Sequence, residues 1–308
     1  MFFALSGFLV AGSLDRSRNL FDYGLLRVLR IVPALFVEVC VAALLLGPLL
    51  TVLPMHEYFT SGKFNSYFLY VVVHIHFQLP GLFIDNPDPD MVNRQLWTIP
   101  GELKCYLALL LLALVGLHRR PLALAGVVAV GIAAFPLYDM FVKHEDVHAL
   151  KTVTLNSLVL AFLCGVLLHA WRARVKTGPA LIIGLAALCY AMMFFPDLQY
   201  LAMAPMAWLT VAIGVSDLPR SPLSEAGDLS YGLYLYGYPL QQTYAHLFPE
   251  HRSPLPNIAF ALIVGGMLAA LSWRFVEKPV LMRRSAILRL LDGILPSRAR
   301  PASVPGAR

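Results

Sequence analysis

Residues 33–53 read PALFVEVCVAALLLGPLLTVL, and residues 155–171 read LNSLVLAFLCGVLLHAW. Mostly apolar stretches that approach or reach about 18–20 residues have the length an α-helix needs to cross the hydrocarbon core of a bilayer. Working outward from these two, apolar runs with polar punctuation recur along the whole chain. They fall at residues 1–12, 32–53, 64–84, 96–117, 122–138, 154–171, 179–195, 200–215, 229–247 and 257–273. The connections are short and end in turn signals such as Phe195-Pro196-Asp197. The pattern predicts an all-α fold, a polytopic transmembrane helical bundle of about 9–10 helices.

Composition agrees. Of 308 residues, 58% are hydrophobic and only 14% are charged, and the mean hydropathy is +0.69. Soluble domains carry about 25% charged residues, so most soluble folds are excluded. The net charge of +6 is placed unevenly. Residues 281–308 hold six Arg against one Asp, and residues 13–33 hold Arg16, Arg18, Arg27 and Arg30 against Asp15 and Asp22. Nucleic-acid binding would need a continuous basic stripe; two local clusters instead mark cytoplasmic loops under the positive-inside rule. The four cysteines all lie in apolar runs, without C-x-x-C spacing, and imply no disulfide framework.

The Arg-rich residues 13–30, 118–120, 172–176 and the tail are assigned to the inside, residues 139–151 and 196–197 to the outside. Between Arg30 and His118 three apolar segments would join two inside loops, which an odd number of crossings cannot do. One of 64–84 or the start of 96–117 is therefore expected to be re-entrant. Residues 1–281 read as one membrane domain. Residues 282–308 read as a basic cytoplasmic tail, amphipathic helix to residue 295 and disordered beyond it.

Four motifs in order resemble the acyltransferase-3 family of integral-membrane O-acyltransferases. They are Phe2-Phe3-Ala4-Leu5-Ser6-Gly7-Phe8-Leu9-Val10; Arg27-Val28-Leu29-Arg30-Ile31-Val32-Pro33; Leu96-Trp97-Thr98-Ile99 with Glu102 and Tyr106; and Leu229-Ser230-Tyr231-Gly232-Leu233-Tyr234-Leu235 with Phe275-Val276-Glu277-Lys278-Pro279. The resemblance implies transfer of an acyl group, often acetyl, from acyl-CoA (acetyl-CoA in the first instance) to a hydroxyl of a cell-envelope carbohydrate or lipid-linked glycan. That is an acyltransferase moving groups other than amino-acyl groups, set among membrane lipids in a bacterial inner membrane, with no metal and no nucleic acid.

Arg27 and Arg30, three apart on one helical face, are the candidate donor-binding pair, since guanidinium forks match phosphate. The same pair also reads as positive-inside anchoring with snorkelled side chains. Glu102, which the resemblance places in the family's functional core, and Tyr106 one turn on are the candidate catalytic residues, in supporting roles. Glu102 equally suits the positive end of a helix capped by Thr98 with Pro100 in its first turn. Ser6, Trp97 and Tyr234 are candidate acceptor contacts. Close helix packing would also explain Ser6-Gly7, and an interfacial belt Trp97 and the tyrosines. Glu277 with Lys278 before Pro279 reads as the end of the last helix.

Family members carry a histidine, taken as the base, in a helix ahead of the F-F-x-L-S-G-F run. None of the nine histidines here holds that place, and the first apolar run is half the spanning length. A misassigned start is expected, with residues 1–308 alone inactive or nearly so. Two other readings compete. One is a transporter or flippase without chemistry, which suits intramembrane charges but should show internal repeats. The other is a zinc peptidase built on the H-E-x-x-H of His144, Glu145 and His148, which has no evident third ligand.

Overall fold

The computed structural model describes residues 1–69, 76–144, 153–216 and 228–294. Among them there is no strand, as the apolar runs demand, because only a helix satisfies its own backbone inside lipid. The chain divides into two compact units, residues 1–24 with 96–225 and residues 25–95 with 226–308.

The first unit contains α1 (Phe2–Asp15), α5 (Ile99–Leu114), α6 (Pro121–Phe141), α7 (Leu155–Ala170), α8 (Pro179–Met192) and α9 (Gln199–Gly214). Proline opens α6 and α8 and stands in the first turn of α5, where the missing N–H costs nothing. Thr154 caps α7, its hydroxyl accepting from the Ser157 amide at 3.2 Å. α7 is the hub, packing against α1, α5, α6 and α9. Its approach to α1 depends on two glycines. A Cβ on Gly7 would lie 2.1 Å from the Phe162 carbonyl oxygen, and one on Gly165 would lie 2.0 Å from that of Ala4. The small-residue packing expected of Ser6-Gly7 is present at Gly7.

The second unit contains most of α2 (Leu20–Val41), α3 (Met55–Thr60), α4 (Gly62–Leu69), α10 (Ser230–Leu247), α11 (Pro254–Ser272) and α12 (Arg284–Ile294). α2 continues through a π-helical turn at Ala42–Leu46 to Leu50. That turn is pinned by the fully buried Tyr58, whose hydroxyl donates to the Ala43 carbonyl at 2.8 Å. α11 likewise continues through a π-helical turn at Trp273–Glu277 to Met282. The chain therefore does not stop at Glu277 as expected; the π turn absorbs Pro279 and points Glu277 inward.

Four stretches are long and apolar enough to span a membrane: Leu20–Leu50, Arg94–Leu114, Pro121–Phe141 and Pro254–Met282. Shorter apolar helices are Phe2–Asp15, Leu155–Ala170 and Pro179–Met192. Two expectations are corrected. Arg27 and Arg30 lie inside α2, and the connection ahead of it narrows to residues 16–19. Residues 76–84 carry no helix, so 64–84 is not one spanning segment. Leu79, Leu82, Phe83 and Val92 of this loop are nonetheless buried, each 0–1% exposed. Irregular backbone with an apolar lining is tolerated at membrane depth only where protein covers it. Among the described residues, the stretch from residue 16 to residue 120 thus holds two helices of spanning length, Leu20–Leu50 and Arg94–Leu114.

Candidate functional site

Arg30 is the centre of a polar cluster in the second unit. Its Nη1 donates to Glu277 Oε2 at 3.1 Å, and its Nη2 is ion-paired with Asp228. Glu277 is 3% exposed and also accepts from the Ser272 hydroxyl at 3.2 Å. A buried carboxylate needs such company. The Arg30 guanidinium lies over the Tyr231 ring, 5.6 Å from its centroid. Tyr231 donates its hydroxyl to the Ile31 carbonyl at 2.9 Å, and its ring stacks on Tyr234 with centroids 6.4 Å apart. Tyr234 in turn donates to the Gln95 carbonyl at 2.6 Å. Arg27 is half-buried one turn earlier on α2.

A second cluster in this unit was not legible from motifs. Glu38, 1% exposed within α2, accepts from Asn93 Nδ2 at 3.3 Å, and the same nitrogen donates to Tyr67. Tyr236 of α10 is buried within electrostatic reach of both Glu38 and Glu277. A carboxylate inside an apolar run is the signal that marks Glu38.

The buried loop is fastened to α10 by side-chain amides. Gln242 Nε2 donates to the carbonyls of Asp88 and Met91 at 2.7 and 2.8 Å, and Asn86 Nδ2 donates to Gln242 Oε1 at 2.9 Å. Arg94 Nη1 reaches both Asp88 oxygens at 2.6 and 2.7 Å, and Tyr238 donates to the same carboxylate. Burial pushes the Asp88 pKa up, but Tyr238 and Arg94 more than offset it and hold it below the ordinary value.

In the first unit, Tyr106 donates its hydroxyl to Glu102 Oε1 one turn back. Tyr106 is buried, edge-on to Phe162 with centroids 6.3 Å apart. Glu102 lies in the first turn of α5, where the helix dipole favours a carboxylate. Thr98 stands at the cap position, but its side chain makes no capping hydrogen bond. Ser6 is half-buried in α1, and Trp97 is 40% exposed in the 3₁₀ turn Arg94–Thr98. Of the seven sequence-derived candidates, the first unit thus holds Ser6, Trp97, Glu102 and Tyr106, and the second holds Arg27, Arg30 and Tyr234. Of the H-E-x-x-H motif only His144 falls within the described residues. All four cysteines are free thiols.

Comparison with known proteins agrees with the motifs. The acyltransferase-3 family profile, an acyltransferase domain, matches residues 1–276. A nodulation protein of Rhizobium leguminosarum bv. viciae, Nodulation protein 10, is 29% identical over 94% of this chain and 83% of its own length. An O-acetyl transferase of Shigella phage Sf6 is 24% identical over 94% of this chain and 86% of its own. No solved structure matches. With its spanning helices and a profile match across nearly all of them, the chain belongs to the acyltransferase-3 family of integral-membrane proteins.

Proposed function

We propose that this protein is an O-acyltransferase that moves an acyl group, acetyl in the first instance, from acyl-CoA to a hydroxyl of a cell-envelope carbohydrate or lipid-linked glycan. The observation that carries this reading is the family match over residues 1–276; the likeness to a phage O-acetyl transferase supports the hydroxyl acceptor. In the transfer, the acceptor oxygen bonds to the thioester carbonyl carbon as its proton passes to a base, the C–S bond breaks to release the thiolate, and the base returns that proton to it as the thiol.

The donor's phosphates need cations, and the two arginines fit that need unequally. Arg30 already holds two carboxylates, so its charge is more than neutralised. Glu277 is buried and stays in place, whereas Asp228 is exposed and is the partner that a phosphate replaces. Arg27, one turn earlier on α2, and Arg30 then share the donor contact. Glu102 and Tyr106 act as a hydrogen-bonded pair that orients the reacting groups; Ser6 and Trp97 in the first unit and Tyr234 in the second remain the candidate acceptor contacts. The enzyme works in the bacterial inner membrane with the donor on the cytoplasmic side, where the Arg-rich connections belong.

The test compares envelope glycans by mass spectrometry in cells with and without the gene. Loss of one acyl mass per modified sugar is the expected result. Unchanged glycans, with labelled glycan failing to reach the outer face, would favour a flippase instead.

A further inference from the structure

The first unit holds a pocket of about 340 Å³ that plays no part in the transfer reading. It is built where three connections meet: Asp15 at the end of α1, His118 and Arg119 between α5 and α6, and His169 and Arg172 at the end of α7. The Asp15 carboxylate is the one acidic group lining it, set against two guanidinium and two imidazole groups. That carboxylate is already engaged. His169 Nε2 lies 3.1 Å from Asp15 Oδ2, and Arg172 Nη1 lies 3.3 Å from the same imidazole nitrogen, 3.2 Å from the His169 carbonyl and 3.8 Å from Asp15.

The ring of His169 is held as well as bonded. It meets the Phe8 ring edge-on at 5.2 Å, and a Cβ on Gly12 would come within 2.9 Å of its Cε1 and push the ring from this position. Across the pocket, Arg119 is exposed and has no ion-pair partner among the described residues. His118 Nδ1 is buried without a hydrogen-bond partner. Burial and the neighbouring Arg119 push the His118 pKa down.

Neutralising the carbonyl ends of α1 and α7 would need one or two cations; it would not need a cavity between them. We infer that this pocket is a phosphate-binding site, with Arg119 and Arg172 as the two guanidinium contacts and Asp15 holding His169 and Arg172 in place. Guanidinium groups match phosphate oxygens in pairs, and the volume is near the lower end of small-ligand sites. The phosphate has two available sources, a soluble nucleotide or the headgroup of an anionic lipid, because the pocket opens at the helix ends that carry the Arg-rich connections.

The test uses the full chain in phosphatidylcholine nanodiscs, wild type against an Arg119→Ala, Arg172→Ala double variant. Both side chains are more than half-exposed or on the exposed surface, so the variant keeps its thermal transition. Adenosine 3′,5′-bisphosphate is titrated calorimetrically as the soluble probe. In a second arm, the melting temperature is followed as phosphatidylglycerol replaces phosphatidylcholine. Saturable binding of the nucleotide that weakens at least tenfold in the double variant assigns the pocket to a soluble phosphate. A stabilisation by phosphatidylglycerol that disappears in the double variant assigns it to a lipid headgroup. The proposal is overturned if neither probe acts on the wild type, or if the double variant responds as the wild type does. It is also overturned if nucleotide binding is lost in Arg27→Ala and kept in the double variant. Because the readout is binding, absence of acyl transfer leaves it standing.

Discussion

Arg30 and Arg27 share a helix face and a charge, yet they should fail differently. Removing the Arg30 side chain leaves Glu277 buried with only the Ser272 hydroxyl for company. Stranding a buried carboxylate costs about 3 kcal/mol. Arg30→Ala should therefore lower the melting temperature as well as activity. Lysine would restore the charge but only one of the two contacts, because it lacks the guanidinium fork. Arg27→Ala should raise the KM for acyl-CoA about tenfold, with a smaller fall in melting temperature than Arg30→Ala gives. A thermal-shift series beside donor-dependence kinetics separates the two; equal loss of stability in both would remove the distinction. Asp88 provides a pH test at the same scale. Its folded pKa is depressed, so its contribution is fully present above the unfolded value of about 3.9 and is lost as pH falls through the lower folded value. Protection of the amides of residues 76–93, taken relative to their intrinsic exchange rates, should fall as the pH drops below about 3.9, and Asp88→Asn should show the lower protection at every pH. Arg30 and Glu102 could be found from motifs. Glu38 could not, because a lone carboxylate in an apolar run acquires meaning only when Asn93 and Tyr67 arrive from elsewhere in the chain.

At the scale of elements, apolar run length was enough to locate α1, α2 and α5 to α11. It failed at residues 64–84 for a physical reason. Leu79, Leu82 and Phe83 are as buried as any helix residue, so a loop lined by protein has the composition of a segment lined by lipid. The discriminating features are local: Gly81 at φ +68° and Phe83 at φ +57°, a backbone region unsuited to a helix. Helix ends were misread for a related reason, since a π turn carries α11 past Glu277 to Met282. The packing of α1 on α7 gives a sharper prediction. Gly7→Ala must push a Cβ into the Phe162 carbonyl, overpacking worth about 1–3 kcal/mol. Gly24→Ala meets nothing within 4 Å inside α2 and should stabilise by roughly 0.5–1 kcal/mol through helix propensity. Chemical unfolding of the two single variants in one detergent should give shifts of opposite sign.

Across the whole molecule, the decisive quantity is where the charge lies along the chain. The +6 is concentrated near residues 16–30 and in the tail, and the positive-inside rule then sets the side of every connection. Counting fixes the rest. The stretch from Leu20 to Leu50 holds 31 residues, about 46 Å at 1.5 Å per residue, against about 30 Å of hydrocarbon. Its excess of roughly ten residues accommodates Arg27 and Arg30 at the cytoplasmic edge. The positive-inside rule then predicts Leu50 and Lys63 on the outer side, with Arg94–Leu114 returning the chain to the inner side. A single cysteine tests this directly. In a Cys40→Ala background, where the other three thiols are buried, Lys63→Cys should react with a membrane-impermeant maleimide on intact spheroplasts. Arg174→Cys should react only after the membrane is opened. Both positions are exposed in the structure, so failure to label cannot be assigned to burial in the fold. Labelling of Lys63→Cys only after opening would put Lys63 inside. That would require a further crossing between Arg30 and Lys63, and the reading of Leu20–Leu50 as a single span would fall with it.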